Sequence, residues 1–165
     1  MTSAALISTT TIDSPIGPLQ LTAEDGVLTR LFMDAQRHAP AVSEAWRDDR
    51  AALANVVEQL DAYFNGELTE FDVVLDPAGT GFQRAVWAAL RTVRYGETCS
   101  YGEIAAQIGR PAASRAVGQA NGRNPIAIII PCHRVIGSGG SLTGYGGGLE
   151  VKRALLELEG ATLAL

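Results

Sequence analysis

Cysteine and histidine are scarce in this chain of 165 residues, which contains two of each. Cys99 and Cys132 cannot form a disulfide framework, and together with His38 and His133 they match none of the spacings typical of a zinc site. These absences exclude a disulfide-stabilised scaffold and a zinc finger. We therefore expect no metal or other cofactor, and a reducing cytoplasm in which free thiols persist.

A long apolar segment is also missing. No apolar run approaches the ~18 residues that a membrane-spanning helix needs. The first residues lack the positive region, apolar centre and cleavage site of a secretory signal peptide, which again favours the cytoplasm. Hydrophobic residues make up 47% of the chain. This is enough for the core of one ordinary domain or of two small lobes.

Acidic and basic residues are unevenly distributed, although the net charge is only −5. Residues 1–80 contain four arginines and thirteen acidic residues, whereas residues 81–153 contain nine basic and three acidic residues. A basic half in an acidic protein is typical of binding to a polyanion such as nucleic acid. The alternative interpretation is chance asymmetry.

The first 78 residues carry the patterns of a small α/β lobe. Alternating apolar residues bounded by turn residues predict three strands, Leu6 to Ile12, Leu19 to Ala23 and Val27 to Met33, before a loop over 34–47. We expect this lobe to form one domain, with a boundary after residue 78 and a second domain from residue 79 to the last residue.

An amphipathic helix is predicted next in this lobe. Apolar residues from Leu53 to Phe64 recur at the spacing of one helical face, with Asp48 and Asp49 suited to the first turn. Asn65-Gly66 is expected to end the helix, and Phe71 to Leu75 is a candidate strand. Nothing in this lobe indicates chemistry. We therefore assign it a scaffold role, with an acidic surface that faces away from a polyanion.

The second half is predicted to be mainly helical. A helix over 81–93 precedes Ser100-Tyr101-Gly102-Glu103, a capping-box pattern that begins a helix ending at Gly109. Pro111 suits the start of another helix, from Ala112 to about Gly122. Two short helices joined by a turn containing glycine match a helix-turn-helix.

The second helix of this pair consists almost entirely of small residues. Arg115 is its single charge before Arg123. A helix this thin can approach another surface closely. That surface is either a DNA groove, with little side-chain readout, or the interior of the protein, and both interpretations remain open.

The most informative segment is Pro131-Cys132-His133-Arg134-Val135. It follows an apolar run, Ile126 to Ile130, which predicts a buried strand that ends beside the cysteine. A nearby cation or hydrogen-bonding base favours the thiolate, which is the nucleophilic form. The alternative is a cysteine that packs as a small apolar core residue.

Glycine dominates residues 137–148, so the backbone there can approach a ligand closely. No Gly-Lys-Ser/Thr pattern follows, so a phosphate-binding loop is not indicated. A flexible surface loop is the alternative to a ligand-lining one. The last predicted helix runs from Leu149 to Glu159, and a glutamate there is most often a solvated surface residue.

Four motifs resemble those of the methylated-DNA–protein-cysteine methyltransferases, which repair guanine alkylated on its exocyclic oxygen. They are Arg115-Ala116-Val117-Gly118, Asn124-Pro125, Pro131-Cys132-His133-Arg134-Val135 and Gly144-Tyr145-Gly146-Gly147-Gly148. The resemblance is strong over residues 80–160 and weaker in the first lobe, where Thr11 to Gly17 and Ala62 to Gly66 carry it. It implies a ribonuclease-H-like α/β lobe followed by a mainly helical domain with a helix-turn-helix.

The resemblance implies catalytic roles for five residues. Cys132 would accept the alkyl group, and each molecule would act once. His133 would act as base through a water molecule, and Glu159 would orient that histidine. Arg134 would then have a structural role rather than one in activating the thiol. Asn124 would brace the active-site turn. Tyr101 would press on the phosphate of the target nucleotide and line the pocket. Because the leaving guanine needs a proton, we further hypothesise that Tyr101 donates it.

It also implies how DNA is bound. Arg115 would fill the space of a flipped base, with Ala116 and Arg123 of the same helix at the DNA surface, and Tyr145 would close the pocket. The main chain of Cys132, Val135 and Gly146 would contact guanine, and Lys152 would support the pocket. The implied partner is double-stranded DNA with an alkylated guanine, or less readily thymine alkylated on its 4-oxygen. A monomer is expected, with clustering on DNA left open.

This chain departs from the family pattern in three places. Gly146 stands where serine is common, so a hydroxyl contact is lost while the backbone amide remains. Cys99 lies just before the capping box and is interpreted as structural. The first lobe has no cysteine and only His38, so we expect no structural zinc there.

Three other functions compete with repair. One is a module that binds lesions without transfer, as in relatives with tryptophan in place of the cysteine. Another is a thiol hydrolase with a Cys-His pair and many turnovers. The last is a transcription regulator that uses the helix-turn-helix, although its recognition helix offers mainly Arg115 for reading bases.

Overall fold

Our computed structural model describes residues 5–34, 36, 38–137 and 144–161. The described elements, in chain order, are the strands β1 (Ile7–Ile12), β2 (Leu19–Glu24), β3 (Val27–Met33) and β4 (Arg47–Asp48), the helices α1 (Ala54–Phe64) and α2 (Gly81–Leu90), the strand β5 (Cys99–Ser100), the helices α3 (Tyr101–Gln107) and α4 (Ser114–Gly122), the strand β6 (Val135–Ile136) and the helix α5 (Leu149–Leu158). Short 3₁₀ turns at Ala51–Leu53 and Cys132–Arg134 complete them.

A four-stranded sheet forms the first lobe, in the order β3-β2-β1-β4. The first three strands pair antiparallel, as the alternating pattern predicts, and their bounds agree with the prediction to within one residue. Asp25 and Gly26 both have positive φ in the turn between β2 and β3, which explains the Asp-Gly pair there. The predicted loop over 34–47 ends in β4, which adds to β1 in parallel.

Helix α1 turns its apolar face inward, as predicted, and buries Val56, Val57, Leu60 and Tyr63. The expected acidic first turn is wrong because the chain enters α1 through the 3₁₀ turn. Asp49 instead accepts a hydrogen bond from the Ala52 amide at 3.2 Å.

The strand expected over 71–75 is also wrong. Only Leu75 bridges to the sheet, next to Leu28, because the backbone bonds between this segment and β3 are limited to the Val74 carbonyl and the Asp76 amide, both paired with Leu28.

Helix α2 is shorter than the predicted helix over 81–93 and ends at Leu90. A capping box begins it: Thr80 Oγ1 accepts the Gln83 amide at 3.1 Å, and the Gln83 side chain accepts the Thr80 amide at 3.0 Å. The Trp87 indole donates to the carbonyl of Ala120 at 2.9 Å, which fixes α4 against α2.

Helices α3 and α4 form the predicted helix-turn-helix. Ser100 Oγ accepts the Glu103 amide at 3.1 Å, and Gly109, with φ +77°, ends the first helix. The second helix begins at Ser114 rather than Ala112. The amide of Ala113 closes a turn onto Arg110 at 2.9 Å, which delays the helical ladder.

The predicted fold class, a mixed α/β lobe followed by a mainly helical part with a helix-turn-helix, is confirmed. Buried apolar residues from both halves belong to one continuous core. The division after residue 78 therefore stays a prediction. Within the described ranges, no helix has the length and apolar character needed to cross a membrane.

Candidate active site

The segment before Cys132 is buried but is not the predicted strand. Only Ile126 makes a bridge, to Leu31 of β3, and the chain then turns. Asn124 holds that turn, since its Oδ1 accepts the Ile126 amide at 3.0 Å and its Nδ2 donates to the Ile130 carbonyl at 2.8 Å. Ile128 has φ +71°, a left-handed conformation that is unfavourable for a β-branched residue.

Cys132 begins the 3₁₀ turn that leads into β6. Its amide donates to the Ile130 carbonyl at 2.8 Å, and Val135 then pairs with Cys99 of β5. The cysteine is 6% exposed. The turn therefore presents a nearly buried thiol from a backbone that is fixed on both sides.

A cavity of about 780 Å³ opens above this thiol. Its walls include Cys132, Tyr101 at the start of α3, Arg123 at the end of α4, and Tyr145. His38 of the first lobe also lines the cavity, a contribution that sequence reasoning missed. Glycine residues on α4 and in the segment 144–148 keep the walls close to the backbone.

Next to the cysteine, three side chains form a buried hydrogen-bonded network around Glu159. Oε2 of Glu159 lies 2.8 Å from His133 Nε2 and accepts bonds from Arg134 Nη2 at 2.9 Å and from the Tyr63 hydroxyl at 2.6 Å. Oε1 accepts from Arg134 Nε at 2.8 Å. Arg134 also donates to the Val93 carbonyl at 2.7 Å. Glu159 is thus a buried residue that caps α5, not a solvated surface carboxylate.

Charge states in this network follow from its contacts. Burial alone would raise the pKa of Glu159, but hydrogen bonds from His133, Arg134 and Tyr63 lower that pKa to about 2. Glu159 is therefore a carboxylate that only accepts hydrogen bonds, so Nε2 of His133 carries a proton. Burial lowers the pKa of His133, although Glu159 opposes the shift. His133 is therefore neutral, and its buried Nδ1, which has no hydrogen-bond partner among the described residues, is a basic lone pair.

Cys132 is a thiol in this structure rather than the thiolate expected from its neighbours. Burial raises the pKa of the Cys132 thiol. The Asn124 amide, the Lys152 ammonium and the Tyr145 hydroxyl offset that rise only in part. The Tyr145 hydroxyl is buried near the sulfur without a hydrogen bond of regular geometry. The resting site thus pairs a neutral thiol with a neutral imidazole.

Lys152 is fully buried and holds the strand that follows the cysteine. Its Nζ donates to the Val135 carbonyl at 2.6 Å. Asn121 Nδ2 donates to the Cys132 carbonyl at 3.3 Å. Both carbonyls expected to contact guanine therefore already accept a hydrogen bond, and the Cys132 carbonyl accepts a second one from the Val135 amide. Burial lowers the pKa of Lys152 to about 8, against the attraction of Cys132 and Cys99.

The remaining predicted residues lie at the surface or at the cavity edge. Arg115 and Ala116 are exposed on α4 and lie outside the cavity lining, whereas Arg123 lines it. Gly146 is half-buried in the cavity wall. A Cβ added at the next residue, Gly147, would collide with the Met33 sulfur and lie 3.0 Å from the Tyr145 ring.

Two members of the network were not assigned to it from the sequence. Arg134 was expected to have a structural role only, and its link to Glu159 had no local signal. Tyr63 was visible only as a core position of α1 and as part of the Ala62 to Gly66 motif. Residues 138–143 of the predicted ligand-lining loop lie outside the described residues. Among the described residues, no cluster of three or more His, Cys, Asp or Glu side chains could hold a metal ion.

Comparisons with known proteins match both halves of the chain to one family. The family model for the ribonuclease-like domain of 6-O-methylguanine DNA methyltransferase matches residues 7–77. The family model for the DNA-binding domain of the same protein matches residues 81–161. A methylated-DNA–protein-cysteine methyltransferase of Mycobacterium tuberculosis is 64% identical over 149 residues, 90% of each chain. One of Methanosarcina acetivorans is 53% identical over 150 residues, which cover 90% of this chain and 96% of the relative.

A crystal structure of the Mycobacterium tuberculosis OGT in complex with DNA has the same fold. It superposes with a TM-score of 0.88 at 62% identity and covers 93% of this chain and 92% of that one. Both halves of the chain, and the residues that surround Cys132, therefore fall within one known family. The chain belongs to the 6-O-methylguanine DNA methyltransferase family.

Proposed function

We propose that this protein repairs DNA by moving an alkyl group from the 6-oxygen of guanine to the sulfur of Cys132. Thymine alkylated on its 4-oxygen is a poorer substrate. The observation that carries the proposal is a buried thiol on the floor of a cavity, next in the chain to a neutral histidine oriented by a carboxylate. The names of the relatives support the same reaction, and one of them was solved in complex with DNA.

The base must leave the duplex to reach this cavity. Extrusion of a nucleotide costs on the order of a few kcal/mol, and less for a damaged base that pairs poorly. Arg115, exposed on α4, enters the stack and takes the place of the flipped base. Ala116 and Arg123 lie against the DNA backbone, where the small residues of α4 allow a close approach. Tyr145 closes the cavity over the base.

The resting charge states define the chemistry. His133 Nδ1 takes the thiol proton through a water molecule, and Glu159 stabilises the imidazolium that results. The sulfur then attacks the alkyl carbon, so that the S–C bond forms while the O–C bond of the guanine breaks. The electron pair of that bond stays on guanine, and Tyr101 supplies a proton to its ring nitrogen. Lys152 stabilises the transient thiolate.

The product cannot return to the thiol by hydrolysis. A thioether has no carbonyl for water to attack, in contrast to an acyl-enzyme, so no second half-reaction follows. Each molecule therefore acts once. We place the reaction in the cytoplasm, because Cys132 reacts only in the reduced state that this compartment maintains.

Stoichiometry tests the proposal. The protein is mixed with excess duplex that contains a single 6-O-methylguanine, and intact mass is followed with time. We expect one methyl group per protein molecule and no further repair of the remaining duplex. Binding without a mass increase would favour the lesion-binding module. Many repaired duplexes per molecule would favour a turnover enzyme, and tight preference for a base sequence would favour a regulator.

Arg115→Ala tests the role of α4 in base flipping. The variant should lose at least about tenfold in repair rate on duplex DNA, because the side chain that supports the opened base stack is gone. The loss on single strands should be much smaller. Arg50→Ala, which removes the same charge from an exposed site on the first lobe, is the matched control. Equal losses on duplex and single strands would contradict the proposed role of Arg115.

A further inference from the structure

The first lobe contributes one side chain to the network next to the reactive cysteine. Tyr63 lies on α1 and is fully buried, and its hydroxyl is 2.6 Å from Oε2 of Glu159 across 96 residues of sequence. This is the same carboxylate oxygen that faces His133 Nε2. A single oxygen atom of Glu159 therefore separates the Tyr63 hydroxyl from the His133 imidazole.

The direction of this hydrogen bond is fixed by chemistry. Glu159 is a carboxylate and can only accept. Burial, and the charge of Glu159 next to it, raise the pKa of Tyr63 well above its usual range, so the phenol keeps its proton. The Tyr63 hydroxyl therefore donates, and it shares Oε2 with the N–H of His133 and with Arg134.

Packing holds the phenol in place. The Tyr63 ring makes an edge contact with Phe64 at 5.2 Å between centroids, a tilted contact with Phe71 at 5.3 Å, and an edge contact with Tyr95 at 6.3 Å. The ring is thus fixed by aromatic neighbours, and its hydroxyl has little freedom to leave the carboxylate.

We propose that Tyr63 is a positioning residue that sets the basicity of His133 through their shared oxygen of Glu159. A donor on Oε2 draws negative charge away from the bond to His133 and so weakens the stabilisation of the imidazolium. Removal of that donor concentrates the charge on the histidine. The imidazole then becomes more basic and holds its proton at higher pH.

The charged and titratable groups around this pair all enter the balance. Glu159 from the end of α5 favours the protonated imidazole. Arg134, which lies in the same 3₁₀ turn as His133, and Lys152 from α5 oppose it. Tyr63 faces Glu159, Arg134 and Tyr95, and Tyr145 from the segment 144–148 interacts with both Tyr63 and Glu159. Of these neighbours, Tyr63 alone comes from the first lobe, so the effect links α1 to the alkyl-transfer site.

The test is Tyr63→Phe, with Tyr95→Phe as its matched control. Both variants lose one hydroxyl from the same aromatic cluster, but the Tyr95 hydroxyl donates to the Leu158 carbonyl at 3.1 Å and not to Glu159. Single-turnover alkyl transfer is measured against pH in each. We expect Tyr63→Phe to move the acidic limb of the profile upward by on the order of one pH unit. Tyr95→Phe should leave that limb in place.

A second measurement does not require catalysis. The chain has only two histidines, so NMR of nitrogen-labelled histidine follows His133 directly, with exposed His38 as an internal reference. Tyr63→Phe should raise the pKa of His133 and leave the His38 signals where they are in the parent protein. A ring-fluorinated tyrosine at position 63, a stronger donor of nearly the same shape, should lower it.

These outcomes separate this inference from the proposed function on which it rests. If the parent protein transfers no alkyl group, the proposed function fails, while the NMR titration still reports on Tyr63. If transfer occurs but Tyr63→Phe and the fluorinated residue leave the His133 titration and the acidic limb unmoved, Tyr63 is a packing residue only. An equal shift in Tyr95→Phe would overturn the assignment in the same way.

Discussion

The two cysteines lie on neighbouring segments and have different surroundings. Cys99 is half-buried on β5, directly opposite Val135, while Cys132 is nearly buried on the turn that precedes Val135. Burial and the Glu103 carboxylate raise the pKa of Cys99 to about 11. Burial also raises the pKa of Cys132, but Asn124, Lys152 and Tyr145 counteract it.

Under the proposed function, exposure does not identify the nucleophile. The more accessible thiol interacts with the Glu103 carboxylate, a charge that disfavours a thiolate and outweighs the opposing Lys152 ammonium. The less accessible thiol has a cavity above it and a neutral imidazole next to it in the chain. What separates the two sites is the presence of a proton acceptor and of room for a substrate.

The largest expected effect comes from removal of each thiol in turn. Cys132→Ser should abolish alkyl transfer, because a hydroxyl at this site is far harder to deprotonate than a thiol. Cys99→Ser should transfer within about twofold of the parent rate. Single-turnover assays with 6-O-methylguanine duplex measure both, and thermal melting confirms that each variant is folded. Loss of activity in Cys99→Ser would contradict the different roles assigned to the two cysteines.

The next largest effect is expected at the carboxylate behind His133. Glu159→Gln leaves the buried Arg134 guanidinium without its counter-charge, a change that costs about 3–5 kcal/mol of folding free energy. The orienting charge on His133 is lost as well, so the transfer rate should fall by about 10²-fold. Chemical denaturation and single-turnover kinetics test the two parts. A stable and fully active variant would contradict the network's role.

Acid stability gives an independent check on the same carboxylate. The folded pKa of Glu159 is about 2, below its ordinary value of 4.5. Its contribution to stability is therefore complete above about pH 4.5 and is lost as pH falls from 4.5 to 2, by about 3 kcal/mol. The parent protein should lose this stability on acidification, and Glu159→Gln should not. Parallel slopes in the two denaturation series would contradict the assigned charge.

Lys152→Met should produce an intermediate effect that is larger at Cys132 than at Cys99, since Lys152 interacts more strongly with Cys132. Loss of the buried ammonium should raise the pKa of Cys132 further, and slow its alkylation by a small neutral reagent at pH 7, where Lys152 is charged, by about tenfold. The adduct on each cysteine is quantified from the masses of the peptides that contain Cys99 and Cys132. Equal alkylation rates in the variant and the parent would show that Lys152 does not influence the Cys132 thiol.

The same lysine also has a signature in alkaline stability. Its folded pKa of about 8 lies below the ordinary value of 10.5. The unfolded chain therefore binds more protons between these values, and the stability of the parent protein rises with pH across that window. Lys152→Met should lack this gain in denaturation series from pH 8 to 10.5.

The smallest effect is expected in the cavity wall. Gly147→Ala places a Cβ against Met33 and the Tyr145 ring, an overpacking that displaces the ring and slows transfer by about three- to tenfold. Gly144→Ala meets no atom within 4 Å and should behave like the parent protein. Rates for the pair, measured on the same duplex, test whether the position of Tyr145 matters. Equal rates would assign Tyr145 no part in closing the cavity.

Local patterns predicted much of the fold. Alternation and turn residues located β1 to β3 because side-chain periodicity and turn conformation are determined by nearby residues. The capping box of Thr80 and Gln83 has the same sequence signature as the one recognised at Ser100, and it was overlooked. The run Ile126 to Ile130 was misread because a buried apolar segment looks the same whether strands or a side chain such as Asn124 satisfy its backbone.

The candidate site was only partly visible in the sequence. Adjacent motifs indicated Cys132 and His133, and the resemblance added Glu159. The contacts of Arg134 and Tyr63 with Glu159 depend on packing between elements far apart in the chain, for which a single sequence carries no local signal. The neutral state of Cys132 likewise follows from burial, which only the folded chain defines.

The assignment of Cys132 as the alkyl acceptor is tested most directly by locating the adduct. The parent protein is reacted to completion with a duplex that contains 6-O-methylguanine, digested, and mapped by mass spectrometry. We predict the mass of one methyl group on the peptide that contains Cys132, and an unmodified peptide that contains Cys99. A methyl group on Cys99 or on a residue other than cysteine, or no adduct on a protein that has repaired its duplex, would contradict that assignment.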